Sequence, residues 1–188
     1  RDVERSRGLG DVYKRQDEMH MHSHTQEHTH AHDTESAHGH HHHEHRGLKE
    51  ITHMIEHSDM TENAKKTALR IFGILAEAEG KAHNVPADQV HFHEVGASDA
   101  VADVIGSVYG FYSLNLDKEE VIGLPVALGG GRIKTAHGIL PVPAPAVLEI
   151  LKDINCIGGP VESELATPTG CAIYAELCSE FKKFIPQC

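Results

Sequence analysis

Between Asp17 and Arg46 the chain reads DEMHMHSHTQEHTHAHDTESAHGHHHHEHR, and nothing else in its 188 residues restricts folding so severely. Twelve of the eighteen histidines fall in this stretch, which contains no Val, Leu, Ile, Phe, Tyr or Trp. A segment without branched aliphatic or aromatic side chains cannot bury enough apolar surface to offset the roughly 1–2 kcal/mol of backbone entropy lost per ordered residue. The sequence therefore predicts a disordered tract over 17–46, with the folding part of the chain starting near Leu48. What the tract offers is a dense supply of neutral imidazole nitrogen, the ligand type that suits nickel, copper and zinc. A purification tag would be a uniform terminal run. Here Ser, Thr, Ala and Glu are interleaved, and the only run of four is His40, His41, His42 and His43, with His45 just beyond. These five are candidate metal ligands, and a natural metal-gathering segment is preferred to a tag.

Composition narrows the partners. A formal charge of −11 argues against nucleic acid or an anionic membrane surface. No apolar run approaches the roughly 20 residues needed to span a bilayer. The basic opening Arg1 to Gln16 is not followed by an apolar block, so it does not read as a secretory signal. It is non-periodic and unlike the rest, and it reads as an extraneous end. Four cysteines, Cys156, Cys171, Cys178 and Cys188, form no CxxC pair, which fits a reduced, cytoplasmic protein. The expected organisation is an anomalous end over 1–16, the His-rich tract over 17–46, and one folded unit over 47–188.

Within that unit Leu48, Ile51 and Ile55 fall at helical spacing, ending near Ser58. Asp59, with Glu62 three residues on, suggests a capping box for a second helix carrying Leu69, Phe72 and Ala76, with Gly80 as its end. Val90 to Val95 alternates like a short strand, and Ser98 or Asp99 opens a helix through Val101, Val104, Ile105, Val108, Phe111 and Tyr112. Val121 to Leu128 reads as an edge or bent strand because of Pro125. Gly129 to Gly131 reads as a tight hairpin turn, with Arg132 to Thr135 as the returning strand. Pro141, Pro143 and Pro145 enforce extended backbone until a helix over Ala146 to Leu151, and a last helix opens at Pro168 after Thr167. The fold class is α/β or α+β: a single layered domain of alternating helices and short strands.

Chemistry concentrates first in His91-Phe92-His93-Glu94. On a strand, His91 and His93 share one face and can chelate one metal, while Phe92 points into the core and Glu94 stands at the end as a third ligand or base. The helix that follows carries Asp99, Asp103, Gly106 and Gly110 opposite its apolar stripe. Interior glycines cost about 1 kcal/mol each relative to Ala, which makes sense where a backbone or ligand approaches closely; close helix packing with Asp99 as a cap is the plainer account. Glu94, Asp99 and Asp103 are the candidate catalytic carboxylates. Arg132, Lys134 and His137 are candidate phosphate ligands, although the glycine triplet lacks a P-loop ending. Thr167, Thr169 and Gly170 place hydroxyls and N–H groups at a helix N-terminus, an arrangement suited to an anion. His53-Met54-Ile55-Glu56-His57 matches an inverted zinc-protease pattern, but it lies on a short helix with no supporting domain, and protease chemistry is set aside. Cys171 and Cys178 fall on an apolar stripe with Tyr174 and Phe181 and read as buried and inert.

Taken in order, HFHEVGASDAVADVIG (His91 to Gly106), the stretch from Leu124 through GGGRIKTAHGILPVPAPAVLEIL and ESELATPTG (Glu162 to Gly170), behind a His-rich tract, resemble the LarC-type nickel-insertion proteins. The resemblance covers about Leu48 to Pro186. It implies insertion of nickel into pyridinium-3,5-bisthiocarboxylic acid mononucleotide, dependent on CTP with Mg2+ or Mn2+, to make the nickel-pincer cofactor of lactate racemase. It also implies a lyase of the chelatase type. Two departures stand out: the family's opening strand with its Asp-Cys-Phe-Ser-Gly-like loop is missing, and its C-terminal domain is expected beyond Cys188. The chain therefore reads as a central fragment. The competing readings are a non-enzymatic nickel store or metallochaperone and, more weakly, a nucleotide hydrolase; a homo-oligomer is left open.

Overall fold

A computed structural model of the chain describes residues 47–90, 92, 98–135 and 138–184. Among these the helices are α1 (Leu48–Glu56), α2 (Glu62–His83), α3 (Ser98–Ser113), α4 (Pro145–Ile150) and α5 (Pro168–Leu177), with 3-10 turns at Ala87–Gln89 and Leu116–Lys118. The strands are β1 (Ile122–Gly123), β2 (Val126–Ala127), β3 (Arg132–Thr135), β4 (Gly138–Pro141), β5 (Cys156–Ile157) and β6 (Glu180–Phe181). The mixed α/β class expected from the sequence is what forms.

Helix α2 is the centre of the domain and touches α1, α3, α4 and α5. Its buried residues, among them Ala68, Ile71, Phe72, Leu75, Ala76 and Ala78, wrap around more than one face. Each fully buried Ile, Leu or Phe contributes about 1.5–3 kcal/mol of transfer free energy. Ile51 and Ile55 of α1, Val104 and Val108 of α3, Val147 of α4 and Ala172 of α5 close on it.

Both ends of α2 differ from the sequence expectation. Thr61, not Asp59, is the cap: its hydroxyl accepts the Ala64 N–H at 3.3 Å, and Glu62 becomes the first helical residue. Thr61 stands three residues before a free helical N–H, the separation a cap needs, and Asp59 stands two residues too early. Nor does Gly80 end the helix, which runs to His83 and closes on Asn84 in the left-handed conformation at φ 57°. Gly80 is inside because the chain folds back over it; a Cβ there would lie 2.8 Å from the Val85 carbonyl oxygen.

The run from Val121 to Leu128 divides at Leu124–Pro125 into two strands, each with its own partner. β1 pairs in parallel with β6 (Ile122 with Glu180), and β2 in parallel with β5 (Val126 with Cys156). The glycine triplet is not a hairpin turn. β3 pairs antiparallel with β4, Arg132 opposite Pro141 and Thr135 opposite Gly138, so the hairpin lies one strand later. The triplet instead lies against the 158–164 segment: Gly129 N–H donates to Gly158 O at 2.6 Å, Gly130 N–H donates to Ser163 O at 3.2 Å, and Gly129 bridges Glu164. Gly129 and Gly131 adopt φ of 85° and 80°, open to glycine at little cost. Val142–Pro143 is a cis peptide, and Pro145 rather than Ala146 begins α4.

Candidate functional site

Of the stretch His91 to Glu94 the structure describes Phe92. It is 1% exposed, its ring 6.4 Å from that of Phe72 on α2, in the core position the alternation predicted. Val90, two residues earlier, is buried as well. Neither Val90 nor Phe92 lies in a strand; Val90 closes the Ala87–Gln89 turn. His91, His93 and Glu94 lie outside the described residues, as do His137 and the tract ligands His40, His41, His42, His43 and His45.

The helix that follows, α3, is two-sided. Val101, Val104 and Val108 are buried, while Asp99, Ala102, Asp103, Gly106 and Ser107 are exposed. The Asp99 Oδ1 accepts the Ala100 N–H at 2.9 Å, within the first turn. A Cβ added at Gly106 or Gly110 would meet no atom within 4 Å. Among the described residues no backbone approaches these glycines, and close helix packing there does not explain them. The result is an open strip of small residues carrying two carboxylates one turn apart, directly after His91–Glu94 in sequence.

Arg132 and Lys134 alternate with Ile133, so both project from the exposed face of β3, while Ile133 packs with Leu140 on Ala82 of α2. The hairpin is therefore docked ten residues along α2 from Phe72, about 15 Å at 1.5 Å per residue. At the start of α5, Thr167 Oγ1 accepts the Gly170 N–H at 3.3 Å, and Thr167 O accepts the Cys171 N–H at 2.9 Å. The Gly170 amide expected to face an anion is thus engaged by the cap, and Thr169 is half-buried. The glycine triplet faces a carboxylate as well. Glu162 Oε2 would stand 3.4 Å from a Cβ at Gly130 and 3.3 Å from one at Gly131, which disfavours a phosphate there.

Two arrangements were not anticipated. Buried Thr67 shares a 2.9 Å hydrogen bond with the Tyr112 hydroxyl and accepts one from Arg70 Nη2 at 3.0 Å; Arg70 Nε donates to Glu176 at 2.6 Å. These residues line a cavity of about 210 Å³ between α2 and the C-terminal ends of α3 and α5. The signal was Thr67 itself, a hydroxyl one turn before Ile71 in an apolar stripe. The second is the stacking of His53, in the last turn of α1, on His57, the residue that caps its C-terminus. Among the described residues no group of three or more His, Cys, Asp or Glu side chains is placed to hold a metal ion.

Of the described cysteines Cys171 is buried, Cys178 half-buried and Cys156 exposed. Burial pushes Cys171 up to about 12, with Cys156 and Glu164 adding like-charge repulsion, and desolvation raises Cys178 and Cys156 too. No described helix is long and apolar enough to cross a membrane.

Against known proteins, a family model described as nickel insertion protein matches residues 6–188. A protein of Methanosphaera stadtmanae provisionally named for nickel insertion is 60% identical over 117 residues, 62% of this chain and 29% of its own length. Two proteins named pyridinium-3,5-bisthiocarboxylic acid mononucleotide nickel insertion protein are also similar. That of Desulfitobacterium hafniense is 46% identical over 139 residues (74% of this chain, 34% of the relative), and that of Staphylococcus saprophyticus 45% over 134 residues (71% and 34%). The chain spans about a third of the length of these curated relatives. No solved structure matches it. The motifs that carry the resemblance and a family match across nearly the whole sequence agree: the chain belongs to the nickel insertion protein family.

Proposed function

We propose that the protein containing this sequence is a cytoplasmic enzyme that inserts nickel into pyridinium-3,5-bisthiocarboxylic acid mononucleotide, in a CTP-dependent lyase reaction leading to the nickel-pincer cofactor of lactate racemase. The observation that carries the reading is the strip on α3: Asp99 and Asp103 stand exposed beside two glycines that no described residue crowds. A flat pyridinium ring needs an uncrowded surface, and replacing a ring proton by nickel needs a nearby base. The names of the Desulfitobacterium and Staphylococcus relatives supply the substrate.

In this reading the tract, through residues such as His40 to His43 and His45, gathers nickel and passes it to His91 and His93. Imidazole holds nickel reversibly, and the thiocarboxylates of the substrate bind it more firmly. Glu94, Asp99 or Asp103 accepts the ring proton. Arg132 and Lys134, with His137, take the substrate phosphate; the N-terminus of α5 at Thr167, Thr169 and Gly170 is the weaker candidate because its cap is already satisfied. CTP, with Mg2+ or Mn2+, is assigned to parts of the family's length beyond this sequence.

The test is an insertion assay on the full-length protein with nickel, mononucleotide and CTP, following product by mass spectrometry. Asp99→Asn/Asp103→Asn should lower turnover by about 10²-fold or more, as expected for loss of general-base catalysis. Deleting residues 17–45 should raise the nickel concentration required and leave saturated turnover intact. If the carboxylate variant turns over normally, the α3 strip is not the site. If the chain holds nickel but neither it nor its full-length parent binds the mononucleotide, the protein is a nickel store.

A further inference from the structure

The parallel pair β2 and β5 is covered on one side only. Val126 and Leu128 pack against the core, so Ala127, between them, points the other way. Ile157 is the register partner of Ala127 and shares its face. Leu165 joins them. Its N–H donates to Leu128 O at 3.2 Å, and a Cβ on Gly159 would lie 3.0 Å from its Cδ1 and 3.5 Å from the Ala127 Cβ. Ile157 is 55% exposed and Leu165 47%, so among the described residues this apolar face stays open to solvent.

A parallel pair with one open face is incomplete. Parallel strands are joined by crossovers, usually helices that lie on the sheet, and parallel sheets occur almost only with both faces covered. Two strands of two residues each are too short to hold by their own ladder and depend on what packs against them. On the inner side that support is the core cluster around α2. On the outer side Ala127, Ile157 and Leu165 form a contiguous apolar surface with no described element over it, the kind of patch that marks an interaction site.

Size and composition select the occupant. Three side chains fall far short of the ~800 Å² per partner of a stable interface, so a second copy or a separate protein would gain too little to offset the freedom lost on association. A segment of the same polypeptide loses far less, because its tether holds it at high effective concentration. The tract over 17–46 has no Val, Leu, Ile, Phe, Tyr or Trp to bring to an apolar face. The curated relatives, however, are about three times as long as the stretch they share with this chain. We infer that an amphipathic helix from the part of the full-length protein outside these 188 residues packs on Ala127, Ile157 and Leu165. It covers the outer face of the β2–β5 pair as the core covers the inner one.

Hydroxyl-radical footprinting of the unaltered full-length protein tests this side chain by side chain. Ile157 should lose its labelling down to the rate of Ile71, and Leu165 down to that of Leu75, both references being 0% exposed. Labelling of Ile157 and Leu165 well above those references overturns the surface. Protection that fades on dilution does so too, because a second copy would then be the cover. Photo-crosslinking identifies the occupant: Ile157→benzoylphenylalanine and, separately, Leu165→benzoylphenylalanine should each give an intramolecular adduct with a peptide outside the 188 residues. Adducts found only within 1–188, or only in species of doubled mass, overturn the inference even where the footprint shows protection. Neither measurement involves nickel or the mononucleotide, so a failed insertion assay would leave this surface standing.

Discussion

The carbonyl of Ser163 fills the space a side chain on Gly129 would need. Gly129 also sits at φ 85°, so a substitution meets both backbone strain and a collision. Gly129→Ala should therefore destabilise the domain by about 3 kcal/mol, from strain and overpacking together. Gly130, where a Cβ would come no closer than 3.4 Å to the mobile end of Glu162, should tolerate Ala with a loss below about 1 kcal/mol. Thermal unfolding of the two variants decides it: equal shifts would mean that the clasp between 129–131 and 158–164 does not hold as described.

Phe92→Ala should cost about 3–5 kcal/mol, as deletion of a buried aromatic ring does, and Phe92→Leu less. Denaturant unfolding gives both values. Under the proposed function, loss of Phe92 should also weaken nickel binding by its sequence neighbours His91 and His93. A stable Phe92→Ala variant would contradict the core placement.

Thr167→Ala should cost about 1 kcal/mol, the usual loss of a hydroxyl cap, while Thr167→Ser should be near neutral. Urea midpoints of the three proteins test this. A Ser variant as damaged as Ala would show that the methyl group, not the bond to Gly170, matters at this position.

The Cys171 thiol makes stability fall in alkali. Its ordinary value is 9.0 and burial raises it to about 12, so the unfolded chain loses this proton first. The contribution is fully present below pH 9 and is lost as pH rises from about 9 toward about 12. Within that window the slope reaches at most about 1.4 kcal/mol per pH unit for one group. Cys171→Ala should flatten that slope relative to the parent. In the native protein Cys171 should also resist alkylation at pH 8 while exposed Cys156 reacts first. Fast labelling of Cys171 would show that the α5 helix opens.

How far the sequence could be read depended on whether the deciding contact was local. Helical spacing placed α1, α3 and α5, and Thr167-Pro168 marked the start of α5, because those signals act over three or four residues. The inward direction of Phe92 was legible for the same reason. The partner of each strand was not. β1 and β2 share one apolar run, yet they separate at Pro125 to pair with segments far downstream, and nothing near Val121 reports that. Gly80 and the Gly129–Gly131 triplet were correctly noticed and wrongly explained. At Gly80 and Gly129 something does come close, but the identity of the neighbour, Val85 in one case and Ser163 in the other, is a tertiary fact. In the candidate site, the strip on α3 was visible as two short carboxylates and two glycines on one face, but its openness is known only once the neighbours are in place. The network of Thr67, Arg70, Tyr112 and Glu176 joins residues up to 106 positions apart and had one local hint, a threonine in an apolar stripe.

The pairing of β1 with β6 sets an order of events during synthesis. Val121 finds its hydrogen-bond partner in Ser179, 58 residues later, and Gly123 O waits for Lys182. While the ribosome is still making α4 and α5, β1 is an unsatisfied edge beside a completed α2, available to any other extended chain. Nascent chains arrested before residue 179 should therefore be digested at 121–124 by added protease, and chains released with Phe181 in place should resist. Among the described residues it is β6, the final strand, that covers this edge of β1.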